Sequence, residues 1–316
     1  MNRFDAYESV YWVFTQRCND ACDHCYNLSS PNGARMTDDD CLAIIQHLPT
    51  FLDRLILSGG EPLADRKQLY LILDAVKARY SSATNPPQIM LQTNGDLLTP
   101  TILDTLLDKG VTRIDLASID RYHRHQGARL ETLIALFRSR GMHDENTDPL
   151  IGTDNYTDSN RLSFGYWGST DDMWLGGNWA RGRAMETGIW KHDGLHNFCS
   201  IVSGARGFLG GTELIQELCI QLWRVTPCCV GTYYEMGDAR TEPLSSILER
   251  AAAHPVFQAL NEGAPFKMGT HIGITEEHAR ERSVALENIC LWCDEFFERH
   301  SDLQPTSGFI PLRVLG

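Results

Sequence analysis

Three cysteines lie within one short stretch near the start of the chain, Cys18-Asn-Asp-Ala-Cys22-Asp-His-Cys25. They directly follow an apolar run that is typical of a β-strand. Three thiolates on one loop can hold three irons of a [4Fe-4S] cube and leave the fourth iron without a protein ligand. A closed zinc site needs a fourth ligand, and His24 is expected to point away from the cysteines. The spacing therefore favours an iron-sulfur cluster with one open iron.

A second motif, Ser58-Gly59-Gly60-Glu61-Pro62, closes the next predicted strand. Two glycines let the backbone approach a ligand closely, and the carboxylate after them can accept hydrogen bonds from an ammonium group. The motif alone is also a plausible turn, but it follows the cysteine triplet by one helix and one strand. Because ligands bind at the carboxyl ends of parallel strands, the two motifs predict one shared site.

More cysteines occur in the C-terminal third, as Cys199, Cys219, Cys228, Cys229 and the pair Cys290-Leu-Trp-Cys293. A C-x2-C pair can hold two corners of a cluster, which other cysteines must complete. The chain has ten cysteines and no secretory signal pattern, so metal ligation is favoured over disulfides. The isolated Cys41, on a predicted helix, is interpreted as a core residue.

Short apolar runs alternate with amphipathic stretches through the first half, which predicts an α/β fold with a parallel sheet. The predicted strands are Val10–Phe14, Leu55–Ser58, Ile89–Gln92, Ile114–Ser118 and Leu162–Trp167. The predicted helices are Asp38–Leu48, Arg66–Tyr80, Pro100–Lys109, Leu130–Arg138 and one from Pro243 to Glu262. The polar run from Gly141 to Asn160 is predicted to be a loop.

The two N-terminal motifs resemble those of the radical S-adenosylmethionine (AdoMet) superfamily. The resemblance implies a partial (β/α)6 TIM-type barrel in which Cys18, Cys22 and Cys25 bind the catalytic cluster and AdoMet chelates its open iron. It also implies an AdoMet-binding set, with Gly59, Gly60 and Glu61 at the methionyl end. The remaining implied members of this set are Asn94, Ser118 and, mainly through its backbone, His24.

The C-terminal third resembles the Twitch domain, a shortened relative of the SPASM domain. The resemblance is carried by Arg181-Gly-Arg-Ala184, Pro227-Cys228-Cys229 and the Cys290/Cys293 pair. It implies an auxiliary [4Fe-4S] cluster bound by Cys199, Cys228, Cys290 and Cys293. The gap between Cys199 and Cys228 is longer than is usual in that family, so Cys219 competes for one ligand position. The expected organisation is a barrel over 1–184, a Twitch-like domain over 185–300 and a tail over 301–316.

The charge and hydrophobicity of the chain exclude some classes of binding partner. The formal net charge is −13 and the basic residues form no cluster, so nucleic acid is not expected to bind. No run approaches the roughly 20 apolar residues of a membrane span, and a cytoplasmic location is expected. The resemblance implies a flavodoxin or ferredoxin as electron donor. Because the first predicted strand begins near residue 10, no peptide-recognition domain is expected ahead of the barrel.

The resemblance leaves three functions open. The first is epimerisation of a carbon in a natural product such as a peptide or aminoglycoside, with Cys229 as hydrogen-atom donor and Cys219 as the reserve candidate. The second is a Twitch-type dehydrogenase that oxidises a carbinol through the auxiliary cluster. The third is a maturase that modifies a peptide. His123 and His125 either face the substrate or lie in a polar turn.

Overall fold

The computed structural model describes five stretches of the chain: residues 2–147, 162–168, 179–201, 204–232 and 235–300. The predicted loop from Gly141 to Asn160 is described only to residue 147. The predicted tail over 301–316 lies outside the described residues.

Six parallel strands form the first part of the sheet, in the spatial order β5-β6-β4-β3-β2-β1. Helices follow the first four strands, which is the βα repetition that the sequence predicts, and the α/β fold is confirmed. The strands are β1 (Ala6–Thr15), β2 (Phe51–Gly59), β3 (Gln88–Thr93), β4 (Val111–Leu116), β5 (His143–Asp144) and β6 (Ser163–Tyr166). The helices are α1 (Asp38–His47), α2 (Arg66–Arg79), α3 (Pro100–Asp108) and α4 (Leu130–Ser139).

The C-terminal part continues the same sheet. Strand β7 lies parallel to β1, with Cys219 opposite Tyr11, and β8 and β9 then follow antiparallel. The expected domain boundary after residue 184 falls inside α5. The remaining elements are α5 (Gly182–Thr187), β7 (Glu217–Gln221), β8 (Arg224–Thr226), β9 (Gly237–Asp238), α6 (Leu244–Ala252), α7 (Pro255–Asn261), α8 (Glu276–Ala285) and α9 (Ile289–Arg299).

Helix ends follow local chemistry. Thr37 and Asp40 form a capping box at the start of α1, where each side chain accepts a hydrogen bond from the other's backbone N–H. Gly110 ends α3 with a φ of +96°, which glycine adopts without strain. The single helix predicted from Pro243 to Glu262 is wrong. It is two helices, because Pro255 lacks a backbone N–H and begins a new helix instead of continuing α6.

The core lies on both faces of the sheet, since strand residues of either parity are buried. In β1, Val10 through Phe14 are all buried, and Ile44 and Ile45 of α1 belong to the same core. Parallel strands covered on both faces have this near-continuous apolar pattern. Among the described residues, no helix is both long and apolar enough to cross a membrane.

Candidate active site

The Gly-Gly-Glu segment pairs with the start of the cysteine loop. The Gly60 amide donates to the Thr15 carbonyl at 2.8 Å and the Glu61 amide donates to the Arg17 carbonyl at 2.8 Å. A Cβ at Gly59 would lie 2.7 Å from the Thr15 oxygen, and one at Gly60 would lie 2.4 Å from the Arg17 oxygen. The glycines are therefore required for the close packing that fixes the cysteine loop against β2.

The thiols of Cys18, Cys22 and Cys25 are free and line one cavity. The Asp20 amide lies 3.4 Å from the Cys18 Sγ, and the Ser29 amide lies 3.3 Å from the Cys25 Sγ. Burial raises the pKa of the Cys18 thiol to about 12 and also raises the pKa of Cys22. Thiols in this environment stay protonated until a cation displaces the proton, so cluster binding must release protons.

These three thiols suit a cluster better than a single ion. Three thiolates from one loop can each bind a different iron of a cubane cluster, and the fourth iron then has no protein ligand. The donor set fits a [4Fe-4S] cluster with three protein ligands.

Glu61 lies behind the cavity wall. It is fully buried, and its carboxylate accepts hydrogen bonds from the Asn94 amide at 2.7 Å, the Thr93 hydroxyl at 2.7 Å and the Leu63 amide at 2.9 Å. Burial raises its pKa to about 7, against the opposing effect of these donors. In this structure the carboxylate holds the turn after β3, whereas the sequence predicts direct contact with AdoMet.

Asn94 joins this turn to the cysteine loop. It lines the cavity, and its side-chain amide donates to the Asn19 side chain at 2.9 Å. Ser118 donates to the Asn94 carbonyl at 2.8 Å and is not among the residues that line the cavity. Of the two predicted pocket residues, Asn94 therefore faces the cavity and Ser118 supports it from behind.

Two neighbouring histidines line the cavity, and a third does not. His24 and His123 line the wall, with ring centroids 4.8 Å apart, whereas the His125 side chain is 56% exposed and lies near Asp96. Burial lowers the pKa of His24 to about 4, so its imidazole is neutral at physiological pH. Of the two histidines, His123 therefore lines the cavity and His125 lies in the exposed turn.

Sequence reasoning missed a polar group on the cavity floor. The Tyr11 hydroxyl lies 2.8 Å from the Ser58 hydroxyl and 2.9 Å from the Gln92 side-chain oxygen, and Tyr26 stands beside it. Tyr11 is in the middle of β1, which is buried on both faces. A strand without polar alternation gives no signal of which side chain faces a cavity.

The second set of cysteines surrounds one buried arginine. Arg181 donates to Asp294 at 2.7 Å and to the Cys290 carbonyl at 3.2 Å. Burial alone would lower its pKa, but Asp294 and the nearby thiols raise it, so the side chain stays charged. A fixed positive charge of this kind stabilises thiolates, which is what a cluster site requires.

The four predicted auxiliary ligands each interact electrostatically with this arginine. Cys290 and Cys293 share one face of α9 because they are three residues apart. Burial raises the pKa of Cys199 most, followed by Cys290 and Cys228. Burial also raises the pKa of Cys293 most, followed by Asp294, Cys199 and Cys228. Cys219, the competitor, lies in β7, and the charges that act on it come from Cys229, Glu217 and Cys228.

Cys229 does not line the cavity. It is fully buried, its carbonyl accepts a hydrogen bond from the Gln221 side chain, and neither it nor Cys219 lines the cavity. Burial raises the pKa of Cys229, with Cys228 next, and Tyr26 interacts with its thiol. Tyr26 therefore stands between Cys229 and the cavity.

The sequence model of the Radical SAM superfamily matches residues 12–163 of this chain. An AdoMet-dependent heme synthase from Methanosarcina barkeri (strain Fusaro / DSM 804) is 36% identical over 126 residues. This match covers 39% of the chain and 32% of the heme synthase. The chain thus spans about a third of the length of this curated relative.

Solved structures share the fold. BtrN in complex with AdoMet and 2-DOIA superposes with a TM-score of 0.52 at 16% identity, covering 83% of this chain and 89% of BtrN. The structure of anSMEcpe with bound AdoMet superposes with a TM-score of 0.50 at 14% identity, covering 94% of this chain and 93% of anSMEcpe. At these identities the likeness concerns the fold.

Proposed function

Because residues 12–163 match the Radical SAM superfamily, we propose that this chain removes a hydrogen atom from a carbon of a small-molecule or peptide substrate. The observation that carries the proposal is the convergence of three free thiols on one cavity, beside the glycine turn and Asn94. A [4Fe-4S] cluster held there, with AdoMet on its open iron, supplies a 5′-deoxyadenosyl radical on reduction. Cys18, Cys22 and Cys25 are the proposed cluster ligands.

The glycine turn and the residues around it would position AdoMet. Gly59, Gly60 and Asn94 line the cavity and offer backbone and amide groups, while His24 forms the wall next to the cluster loop. Glu61 and Ser118 act one step away, since both hold Asn94. Glu61 is therefore proposed as a positioning residue for the turn after β3.

This role of Glu61 leads to a prediction. In Glu61→Ala the turn that carries Asn94 loses its shared acceptor, and AdoMet affinity should fall by up to roughly 150-fold, since a hydrogen bond to a charged group in this turn is worth about 1.5–3 kcal/mol. Equilibrium binding of AdoMet to the reconstituted protein measures the change. Glu131→Ala, at an exposed acid in α4, is the matched control and should bind normally. Unchanged affinity in Glu61→Ala would remove Glu61 from the site.

An auxiliary [4Fe-4S] cluster on Cys199, Cys228, Cys290 and Cys293 is part of the proposal. Its support is the electrostatic interaction of each of these four thiols with the buried Arg181. Cys219 has no such relation to the Cys290/Cys293 pair and is therefore the weaker ligand candidate. With four protein ligands this cluster would have no open iron and would carry electrons instead of binding substrate.

For the outcome of the reaction we favour epimerisation, with Cys229 as the source of the returned hydrogen atom. Because Tyr26 separates Cys229 from the cavity, the atom would pass through the Tyr26 hydroxyl. The Tyr26 O–H bond breaks as a C–H bond forms on the substrate, and the tyrosyl radical then takes the hydrogen of the Cys229 thiol. The thiyl radical left on Cys229 needs one electron from a ferredoxin- or flavodoxin-type donor and one proton from solvent.

The burial of these groups supports this order. Burial first, and then Cys229, raises the pKa of Tyr11, and burial followed by Tyr11 raises the pKa of Tyr26. Both phenols and the thiol of Cys229 therefore keep their hydrogens at physiological pH, which is the form that can donate a hydrogen atom. A dehydrogenase that passes an electron to the auxiliary cluster is the second candidate, supported by the four thiols around Arg181, and a peptide maturase is the third.

Turnover in deuterated water separates these outcomes. An epimerase should place deuterium on the inverted carbon, because the hydroxyl of Tyr26 and the thiol of Cys229 both exchange with solvent. A dehydrogenase should give a product lighter by two mass units. Cys229→Ser and Tyr26→Phe, with full iron content, should each still make 5′-deoxyadenosine but no inverted product. Cys219→Ser is the matched control and should turn over normally. Inverted product from both test variants at the wild-type rate would rule out the relay.

Two further features stay predictions. The reducing electron requires a low-potential protein such as flavodoxin or ferredoxin, and the reduced thiols require a cytoplasmic setting. No basic cluster is present in the sequence, so nucleic acid remains an unexpected partner.

A further inference from the structure

Two imidazoles and one carboxylate converge on the cavity wall outside the cysteine loop's ligand set. His24 comes from that loop, while Asp120 and His123 come from the turn that follows β4, and their possible ligand atoms all lie within 4.8 Å of one another. The His123 Nδ1 is 2.8 Å from the Asp120 Oδ1, and the rings of His24 and His123 meet edge to face. Two separate segments thus bring three ligating groups to one point.

One of these groups carries an unsatisfied polar atom. His24 is 6% exposed, and its Nδ1 has no hydrogen-bond partner among the described residues although solvent does not reach it. A buried polar atom of this kind costs free energy unless a ligand satisfies it. Asp120, by contrast, is fixed in place because its Oδ1 accepts from the backbone amides of Tyr122 at 2.9 Å and His123 at 3.2 Å.

We propose that His24, Asp120 and His123 bind one divalent transition-metal ion of the Fe²⁺, Co²⁺ or Zn²⁺ class. Two imidazoles and one carboxylate are a donor set that suits these ions and leaves other coordination positions open. Because His24 and His123 line the cavity, those positions face it. They would take an oxygen or nitrogen atom of the substrate, such as a hydroxyl or amino group. The site would exist whichever reaction follows.

The neighbouring charges are compatible with a cation. Two charges of opposite sign interact with His24. They are the negative charge of Asp20, in the cysteine loop, and the positive charge of Arg183, in α5. The Arg183 guanidinium donates to the backbone carbonyls of Cys22 and Ser29, at 2.8 and 2.7 Å, so two of its N–H groups are held by the backbone. Arg124 is bound by Asp20 at 3.0 Å.

The test is a count of cobalt in the reconstituted holoenzyme, in which the cysteine ligands already hold iron. Equilibrium dialysis against Co²⁺ under anaerobic conditions, followed by elemental analysis, should give one cobalt per chain. His123→Ala should hold none, and Asp120→Asn, which keeps the shape of the turn, should bind at least about tenfold more weakly. His125→Ala removes a neighbouring exposed histidine and should bind as the wild type does.

Iron content and circular dichroism show whether each variant folds and keeps its clusters. The proposal is overturned if the wild type binds no cobalt, or if His123→Ala and Asp120→Asn bind as much as the wild type. It is independent of the epimerase proposal, because the readout is metal stoichiometry and not turnover.

Discussion

Replacing Cys18, Cys22 and Cys25 together by alanine should remove about four of about eight bound irons and abolish AdoMet cleavage. The three thiols share one cavity and do not belong to the apolar centre of the sheet, so the fold and the second set of cysteines should survive. The remaining iron should be the auxiliary cluster on the four thiols around Arg181. Elemental analysis of the reconstituted protein measures the bound iron, and the visible absorbance of the iron-sulfur clusters checks the result.

The control for the triple variant is Cys41→Ala, which removes a fully buried cysteine of α1 that belongs to neither set. It should keep all of its iron and lose only a little stability through the small cavity it leaves. Wild-type iron content in the triple variant would show that the catalytic cluster is held elsewhere.

The largest expected effect on stability comes from Arg181→Met. Arg181 and Asp294 form an ion pair at 2.7 Å with side chains only 8% and 11% exposed, and the variant removes the positive charge of this buried pair. Breaking a buried pair on one side costs about 3–5 kcal/mol. Thermal unfolding under anaerobic conditions should show this as a lowered midpoint, of roughly 2–4 °C per kcal/mol.

Two comparisons make the result specific to the buried charge. The double variant Arg181→Met/Asp294→Leu removes both charges and should recover much of the lost stability. Lys109→Ala breaks a pair with the exposed Asp74 and should change stability by at most about 1 kcal/mol. An Arg181→Met midpoint equal to that of Lys109→Ala would contradict the importance of this pair.

Local signals were enough for the first half of the fold. The strands around Val10–Phe14 and Leu55–Ser58 have continuous apolar runs, and α1 begins at the capping box of Thr37. The helical periodicity of the sequence continues across Pro255, so the periodicity alone predicts one helix where the structure has two. The return of the chain to pair β7 with β1 could not be predicted, because strand pairing between distant segments leaves no local pattern.

The candidate site was predictable where function depends on short spacing. The cysteine triplet and the two glycines are local motifs, and the structure brings both to one cavity. The positions of Tyr11, Tyr26 and His123 depend on how distant strands and turns pack together. The sequence alone therefore could not predict that these three side chains line one cavity. Glu61 shows the limit of a motif: the residue type was identified, but its partners are fixed by the turn after β3.

The most direct test of radical AdoMet chemistry is the fate of AdoMet on the reduced, reconstituted protein. Under anaerobic conditions with dithionite, chromatography and mass spectrometry should detect 5′-deoxyadenosine and methionine in equal amounts. Protein in which Cys18, Cys22 and Cys25 are alanine should form neither. Wild-type protein that carries its full iron and leaves AdoMet intact, or a triple variant that cleaves it as fast as the wild type does, would contradict the account.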